Sequence, residues 1–150
     1  MSSLIRIARI TGDESYENAA DHLMRAFAGE VGRAPAAHTA LLSGMDFAFG
    51  PSFEIVLAGT RDAADLNALR SALASQFVPN KVVLFRPAGE PEPAVTRIAG
   101  FTKAQTPIRG RATAYVCTNY NCKLPTNDPA AMLKLMRATA VQRLTKAEER

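Results

Sequence analysis

The sequence lacks any long hydrophobic run and has only two cysteines, Cys117 and Cys122. A membrane-spanning helix needs about 20 consecutive apolar residues, and no run here comes near that length, so we expect no helix that crosses a membrane. The opening MSSLIRIARITGD has neither the long apolar region nor the small-residue cleavage site of a secretory signal, which indicates mature protein. Two cysteines without a secretion signal predict a cytoplasmic protein and disfavour a structural disulfide.

The common motifs of nucleotide-binding proteins and serine hydrolases are also missing. There is no G-x-G-x-x-G and no Walker glycine–lysine pair, and the segment LLSGMD lacks the flanking glycines of a nucleophile elbow. The net charge is +4, but the basic residues are scattered, and at 134–150 they are diluted by Glu148 and Glu149. The charge pattern therefore predicts a solvated surface rather than a nucleic-acid-binding one.

The first third of the chain predicts three helices. A short helix over 3–10 ends at Gly12, which suits the left-handed position after a helix, and Asp13 can cap the next helix. The apolar residues of this second helix recur every three or four positions: Tyr16, Ala20, Leu23, Phe27 and Val31. The third helix carries His38, Leu41, Leu42, Met45 and Phe49 and stops at the Gly–Pro pair 50–51.

Residues 53–85 predict a strand–helix–strand unit. The runs FEIVLAG (53–59) and KVVLF (81–85) are short and apolar, as expected of buried strands. The helix between them begins after Asp62, a candidate cap, and its apolar repeat is Leu66, Leu69, Leu73 and Phe77. A unit of this length predicts a parallel strand pair with a right-handed crossover.

The remaining segments complete the fold prediction. A proline-rich loop (86–93) is followed by a third strand, ATAYVC (112–117), and by a last helix that Asn127 or Asp128 can cap. The candidates for the buried side of that helix are Met132, Leu135, Met136 and Leu144. We predict an α/β or α+β fold in one domain, 1–150, with a helical lobe at 1–50. The lobe at 51–150 should hold a small, partly parallel sheet of about three strands with covering helices.

The two cysteines allow four interpretations. A redox site usually has the spacing C-x-x-C, and four residues intervene here. A zinc site normally needs four ligands, and the only histidines, His22 and His38, lie far away in sequence. An extended chain would separate Cys117 from Cys122 by about 17 Å, although a turn at Asn119 and Asn121 could close a disulfide. Two free thiols beside a turn are the favoured interpretation, and we predict neither a metal nor a cofactor.

Gly59, Thr60 and Asp62 form a second candidate site. They follow a buried strand and precede a helix, where α/β proteins often bind phosphate groups. The signal is weak, because a lone glycine at the end of a strand is usually only part of a turn. Asp46 and Glu54 could be imagined as a catalytic carboxylate pair, but capping or solvated roles are favoured for both.

Three stretches together resemble one protein family: ARITGDESYENAADHL (8–23), FVPNKVVLFRP (77–87) and GRATAYVCTNYNCKLPTNDP (110–129). The resemblance is to the C-terminal portion of thioredoxin-domain-containing proteins similar to bacterial YyaL and animal spermatogenesis-associated proteins. It implies a full-length chain with a thioredoxin-like domain, then an α/α six-hairpin toroid similar to glycosidases, then the present segment. Residues 1–50 would be a remnant of the toroid. Cys117 and Cys122 match motif positions of unknown role.

The resemblance implies a non-catalytic C-terminal module that acts in binding or assembly. The alternative is a small enzyme or ligand-binding protein with a phosphate- or sugar-binding pocket near Gly59 and Thr60. The N-terminal helices present apolar residues whose neighbours in a complete toroid would be missing: Leu4, Ile7, Tyr16, Leu23, Phe27, Leu41 and Met45. We therefore expect a homodimer through these helices, or contact with an upstream chain of the same family.

Overall fold

The computed structural model describes residues 1–137. Its helices are α1 (Ser2–Thr11), α2 (Glu14–Arg33), α3 (Thr39–Phe49), α4 (Ala64–Ala74) and α5 (Ala94–Ile98). Its strands are β1 (Phe53–Gly59), β2 (Lys81–Pro87), β3 (Thr113–Thr118) and β4 (Asn121–Cys122). Short 3-10 turns lie at Pro35–His38 and Gly100–Ala104, and residues 129–137 are helical. Within this part of the chain, no helix combines the length and the apolar character needed to cross a membrane.

The boundary between α1 and α2 forms as the sequence predicts. Gly12 has φ of 76°, and its amide donates to the carbonyl of Ala8, which closes the last turn of α1. Asp13 then caps α2, because its side chain accepts a hydrogen bond of 2.9 Å from the amide of Ser15. This bond stabilises the carboxylate and lowers the pKa of Asp13. The two-residue connection makes α1 and α2 a helical hairpin.

Helix α4 differs from its prediction at both ends. Asp62 does not cap it: Asp62 adopts a left-handed φ of 62°, and the residue before the helix is Ala63. Asp65 instead accepts from the amides of Leu66 and Ala112, which ties the first turn of α4 to the chain entering β3. Phe77 was wrongly placed on the helix, since α4 ends at Ala74 and leaves Phe77 93% exposed. The predicted buried positions Leu69 and Leu73 are confirmed.

The strands form one mixed sheet in the order β2-β1-β3-β4. Strands β1 and β2 are parallel, as predicted, with Phe53 opposite Lys81 and Gly59 opposite Pro87. Strand β3 pairs antiparallel with the other edge of β1, with Glu54 opposite Cys117. All seven residues of β1 are buried, which confirms the central strand inferred from FEIVLAG. The two-residue strand β4 was not predicted.

Helices cover both faces of the sheet. Alternate residues of β1 point to opposite faces, so Ile55 and Leu57 lie on one face and Glu54 and Val56 on the other. The first face packs against α4 and residues 129–137, in a core that includes Ile55, Leu57, Leu66, Leu69, Val116 and Met132. The second face lies under the N-terminal helices, where Val82 packs with Ile5, Ala20 and Phe47. The fold is therefore mixed α/β, with the N-terminal helices preceding the sheet in sequence and covering it in space.

The last helical residues, 129–137, follow the predicted pattern. Asp128 accepts a hydrogen bond of 2.9 Å from the amide of Ala130, so it caps the helix. Met132 and Met136 are buried in the core under β1 and β3, and Leu135 packs against it. Leu144, also predicted for the buried side, lies outside the described residues.

Candidate functional site

The cysteines flank a tight hairpin. Strands β3 and β4 are joined by Asn119 and Tyr120, whose φ angles of 49° and 61° are those of a type I′ turn. Cys117 and Cys122 are opposite each other in this hairpin, with their Cα atoms 3.8 Å apart, and they form a disulfide. The favoured interpretation as two free thiols was therefore wrong. The extended-chain separation does not apply, because the chain reverses direction within the five residue steps.

The buried side-chain amide of Gln105 contacts both sulfur atoms of the disulfide. Gln105 donates from Nε2 to the Sγ atom of Cys122 at 3.2 Å and lies 3.7 Å from that of Cys117. Cys117 is fully buried, whereas the residue Cys122 on the other side of the disulfide is exposed. Within residues 1–137, no three histidine, cysteine or acidic side chains are grouped so that they could hold a metal ion.

A buried carboxylate lies beneath the hairpin. Glu54 on β1 has no solvent exposure, and its Oε2 accepts a hydrogen bond of 3.1 Å from the backbone amide of Tyr120. The Nε atom of Arg9 on α1 lies 3.8 Å from its other oxygen, Oε1. Burial raises the pKa of Glu54, while the Tyr120 amide and the Arg9 guanidinium act in the opposite direction. The favoured solvated role for Glu54 was therefore wrong.

The same side chains attach the hairpin to α1. Arg9 donates to Oδ1 of Asn119 at 3.0 Å, and the hydroxyl of Tyr120 donates to the carbonyl of Ala8 at 2.7 Å. We call these residues (Ala8, Arg9, Glu54, Asn119 and Tyr120) the hairpin clamp. The clamp joins β1, the β3–β4 turn and α1, and so fixes the helical layer on the sheet.

The clamp encloses its carboxylate instead of presenting it to a ligand. Tyr120 lines a groove of about 370 Å³ together with Glu17 and Phe101, and Glu54 is not among the lining residues. Catalytic use of Glu54 would require the Tyr120 amide to move away from it. The geometry therefore supports a structural role for Glu54. A charged residue within the apolar run FEIVLAG was the sequence signal for such a buried, partnered group.

The structure does not gather Gly59, Thr60 and Asp62 into one pocket. A Cβ atom on Gly59 would lie 3.1 Å from that of Ala112, so this glycine permits close packing between strands. Thr60 is exposed, and its carbonyl accepts from the amide of Ala63. Asp62 lines a separate cavity of about 260 Å³ beside Arg61, and neither Gly59 nor Thr60 contributes to it.

Helix α2 presents apolar side chains to solvent. A rise of about 1.5 Å per residue makes this 20-residue helix about 30 Å long, twice the length of α1. Because α1 doubles back on α2, it can cover α2 only to about residue 23. Leu23 and Phe27 remain 37% and 44% exposed, although Ala20 and Val31 on the same helix are buried. We call Leu23 and Phe27, with the exposed Ile7 of α1, the helical surface.

The sequence of this chain is similar to part of a longer protein. Over 134 residues, the chain is 30% identical to spermatogenesis-associated protein 20 of Homo sapiens. The chain is distantly similar to one portion of that protein. The proteins of the same name in Mus musculus and Rattus norvegicus are each 28% identical over 134 residues. The similarity confirms the resemblance inferred from the three sequence stretches.

The similarity covers very different shares of the two proteins. The matched residues make up 89% of this chain but only 17% of the human protein, and the shares are the same for the mouse and rat proteins. No family model matches the chain. No solved structure matches it either. The thioredoxin-like domain and the toroid implied by the resemblance stay predictions.

Proposed function

We propose that this chain is a non-catalytic module of a thioredoxin-domain-containing, six-hairpin-glycosidase-like protein, and that it acts in assembly. Its docking face is the helical surface of Ile7, Leu23 and Phe27. The similarity to 17% of a longer protein supports a role as one part of a larger whole. The enclosed Glu54 carboxylate is consistent with this role, since its contacts hold the helices on the sheet.

The observation that carries the proposal is the exposure of Leu23 and Phe27. They lie one turn apart, so their side chains share one face of α2. Aromatic side chains dominate the energetics of protein interfaces, and a rigid helix presents Phe27 at little cost in conformational entropy. The hairpin clamp gives the surface that rigidity, because it fixes α1, and with it the helical hairpin, to the central strand.

The occupant that we propose is a second copy of this chain, related by a two-fold axis. Closed symmetric dimers are the commonest soluble oligomers. If α2 packs antiparallel to its copy about this axis, Phe27 of each copy contacts Leu23 of the other, so the same apolar patch contacts itself.

Light scattering of the purified chain at micromolar concentration tests the proposal. We expect a dimer mass for the wild type and a monomer mass for Phe27→Asp, with unchanged helix content by circular dichroism. The matched control is Phe77→Asp, which changes a far more exposed phenylalanine outside the helical surface and should leave the dimer intact.

Two other outcomes would discriminate among the alternatives. A monomeric wild type that binds the upstream helical part of its family protein, with Phe27→Asp abolishing this binding, would keep the assembly role but replace the second copy as occupant. A monomer that binds no such segment, and in which Phe27→Asp changes nothing, would contradict the assembly role itself.

A further inference from the structure

A basic cavity of about 510 Å³ lies where β2 ends, and none of its lining residues belongs to the hairpin clamp or the helical surface. Arg86, the second-last residue of β2, lines it together with Arg97 and Lys103. Among the described residues that line it, Glu92 is the only carboxylate, so three cations face one anion and leave an excess of two positive charges. The cavity falls within the size range of small-molecule sites.

Arg86 is a nearly buried cation without an anionic partner. The residue is 8% exposed, and it forms no ion pair with any carboxylate of residues 1–137. The one hydrogen bond found for its guanidinium is a long one, 3.5 Å from Nη2 to the carbonyl of Lys103. Its Nε has no hydrogen-bond partner among residues 1–137. Burying a charged donor without compensation is costly, so the site lacks an acceptor that would complete it.

Among the described residues, no side chain that lines the cavity supplies that acceptor to Arg86. The hydroxyl of Thr96, which also lines the cavity, donates to the carbonyl of Pro93 at 2.8 Å. Arg97 and Lys103 are exposed and, like Arg86, form no ion pair within the described residues. The cavity is therefore lined by three cations that form no ion pair within the described residues.

We propose that this cavity binds the phosphate group of a small phosphorylated molecule. The planar guanidinium of Arg86 can donate two parallel hydrogen bonds to two phosphate oxygens, which a point charge such as lysine cannot do. The excess of two positive charges matches a dianionic phosphate monoester. The cavity extends beyond Arg86 to Pro91 and Arg97, so the rest of the molecule has room beside the phosphate.

The position in the fold supports a ligand site independently of the charges. Open α/β sheets bind ligands outside the carboxyl ends of their parallel strands. Arg86 lies at that end of β2, and the loop that follows contributes Pro91 and Glu92 to the cavity. Phosphate binding was predicted at the same end of the neighbouring strand β1, near Gly59, whereas the unpartnered cation lies on β2. Arg86 was predicted to lie in the loop 86–93, whereas β2 continues to Pro87 and includes it.

Titration with inorganic phosphate at low ionic strength and a pH of about 8, well above the second phosphate pKa of about 6, tests the proposal. Isothermal calorimetry should show saturable binding at millimolar phosphate or below. Arg86→Met should weaken this binding about tenfold or more, and Lys103→Gln should weaken it less. Glu92→Gln should tighten it, because a repulsive charge is removed. The control Arg70→Gln removes an exposed cation from α4 and should leave binding unchanged.

A phosphate monoester such as glycerol phosphate distinguishes a ligand site from a site for free phosphate. Binding of the ester at least as tight as that of phosphate, and lost in Arg86→Met, supports the proposal. Binding of inorganic phosphate alone, with the ester excluded, overturns the part that concerns a larger molecule. No saturable binding of either probe at tens of millimolar overturns it entirely.

Thermal stability separates a ligand-binding role from a structural one. Phosphate should raise the melting temperature of the wild type and of Arg70→Gln, but not that of Arg86→Met. Without phosphate, Arg86→Met should melt no lower than the wild type, because it removes an uncompensated buried charge. A large loss of stability in unliganded Arg86→Met, together with unchanged phosphate binding in Lys103→Gln, would show that Arg86 is structural and would contradict the proposal.

Discussion

Removal of the Cys117–Cys122 disulfide should destabilise the chain without unfolding it. The perturbation is the double variant Cys117→Ala/Cys122→Ala, or reduction of the wild type. The bond closes a loop with a sequence separation of only 5 residues. In the chain-entropy model, a loop this short is worth about 2 kcal/mol, mainly through restriction of the unfolded chain. The folded hairpin has other supports, including the 2.9 Å bond from the amide of Lys123 to the carbonyl of Val116.

Urea unfolding with and without a phosphine reductant measures this contribution. Reductant should lower the free energy of unfolding of the wild type by about 2 kcal/mol and should leave the double variant unchanged. The double variant is the matched control, because any effect of the reductant on it is unrelated to the cysteines. Wild-type protein, purified without reductant and then unfolded, should show no reactive thiol. Two reactive thiols per chain, or identical stability with and without reductant, would refute the disulfide and the reasoning built on it.

Two further predictions concern the core and the carboxylate beneath the hairpin. Leu73→Ala should lower the free energy of unfolding by about 2–5 kcal/mol, because Leu73 is buried against the sheet. The control Leu124→Ala, at an exposed site, should change it little. Equal urea midpoints for the two variants would contradict the core assignment. Burial raises the pKa of Glu54 in the folded chain above its ordinary value of 4.5, so the folded chain binds this proton more tightly than the unfolded chain does. The contribution of this proton to folding stability is therefore fully present below pH 4.5 and is lost as pH rises through the folded pKa. The stability of the wild type relative to Glu54→Gln should therefore fall as pH increases from about 4 to about 8, and urea midpoints that rise in parallel with pH would contradict a buried carboxylate.

Local signals were enough to predict the helical third and the central strand. Gly12 and Asp13 act through their own backbone and side-chain geometry, so their roles could be read from adjacent residues. The run FEIVLAG predicts a strand buried on both faces because it is short, apolar and rich in β-branched and aromatic side chains. The prediction that Phe77 lies on the helix was wrong, also for a local reason. The apolar period continued past the residue at which the helix ends, and periodicity alone does not mark that end.

The hairpin and the two charged strand residues depend on contacts distant in sequence. The turn Asn119–Tyr120 lacks the glycine that usually marks a two-residue hairpin, so β4 and the disulfide had no strong local signal. Glu54 meets Tyr120, 66 residues away, and Arg9, on a different helix. The charge of Glu54 within an apolar run predicts that it needs a partner, whereas Arg86 was assigned to a loop and gave no such signal. Only the three-dimensional structure shows that Glu54 has one and that Arg86 does not.

The most direct test of the assembly role replaces Phe27 with a photoreactive benzoylphenylalanine and identifies what it cross-links. Phe27 lies at the centre of the proposed contact between two copies of α2. We expect a cross-linked dimer at micromolar concentration, with the adduct on residues 14–33 of the second copy and with little dimer when the same group replaces Phe77. A cross-link confined to the chain's own residues, or a dimer formed equally from both positions, would contradict assembly through the helical surface.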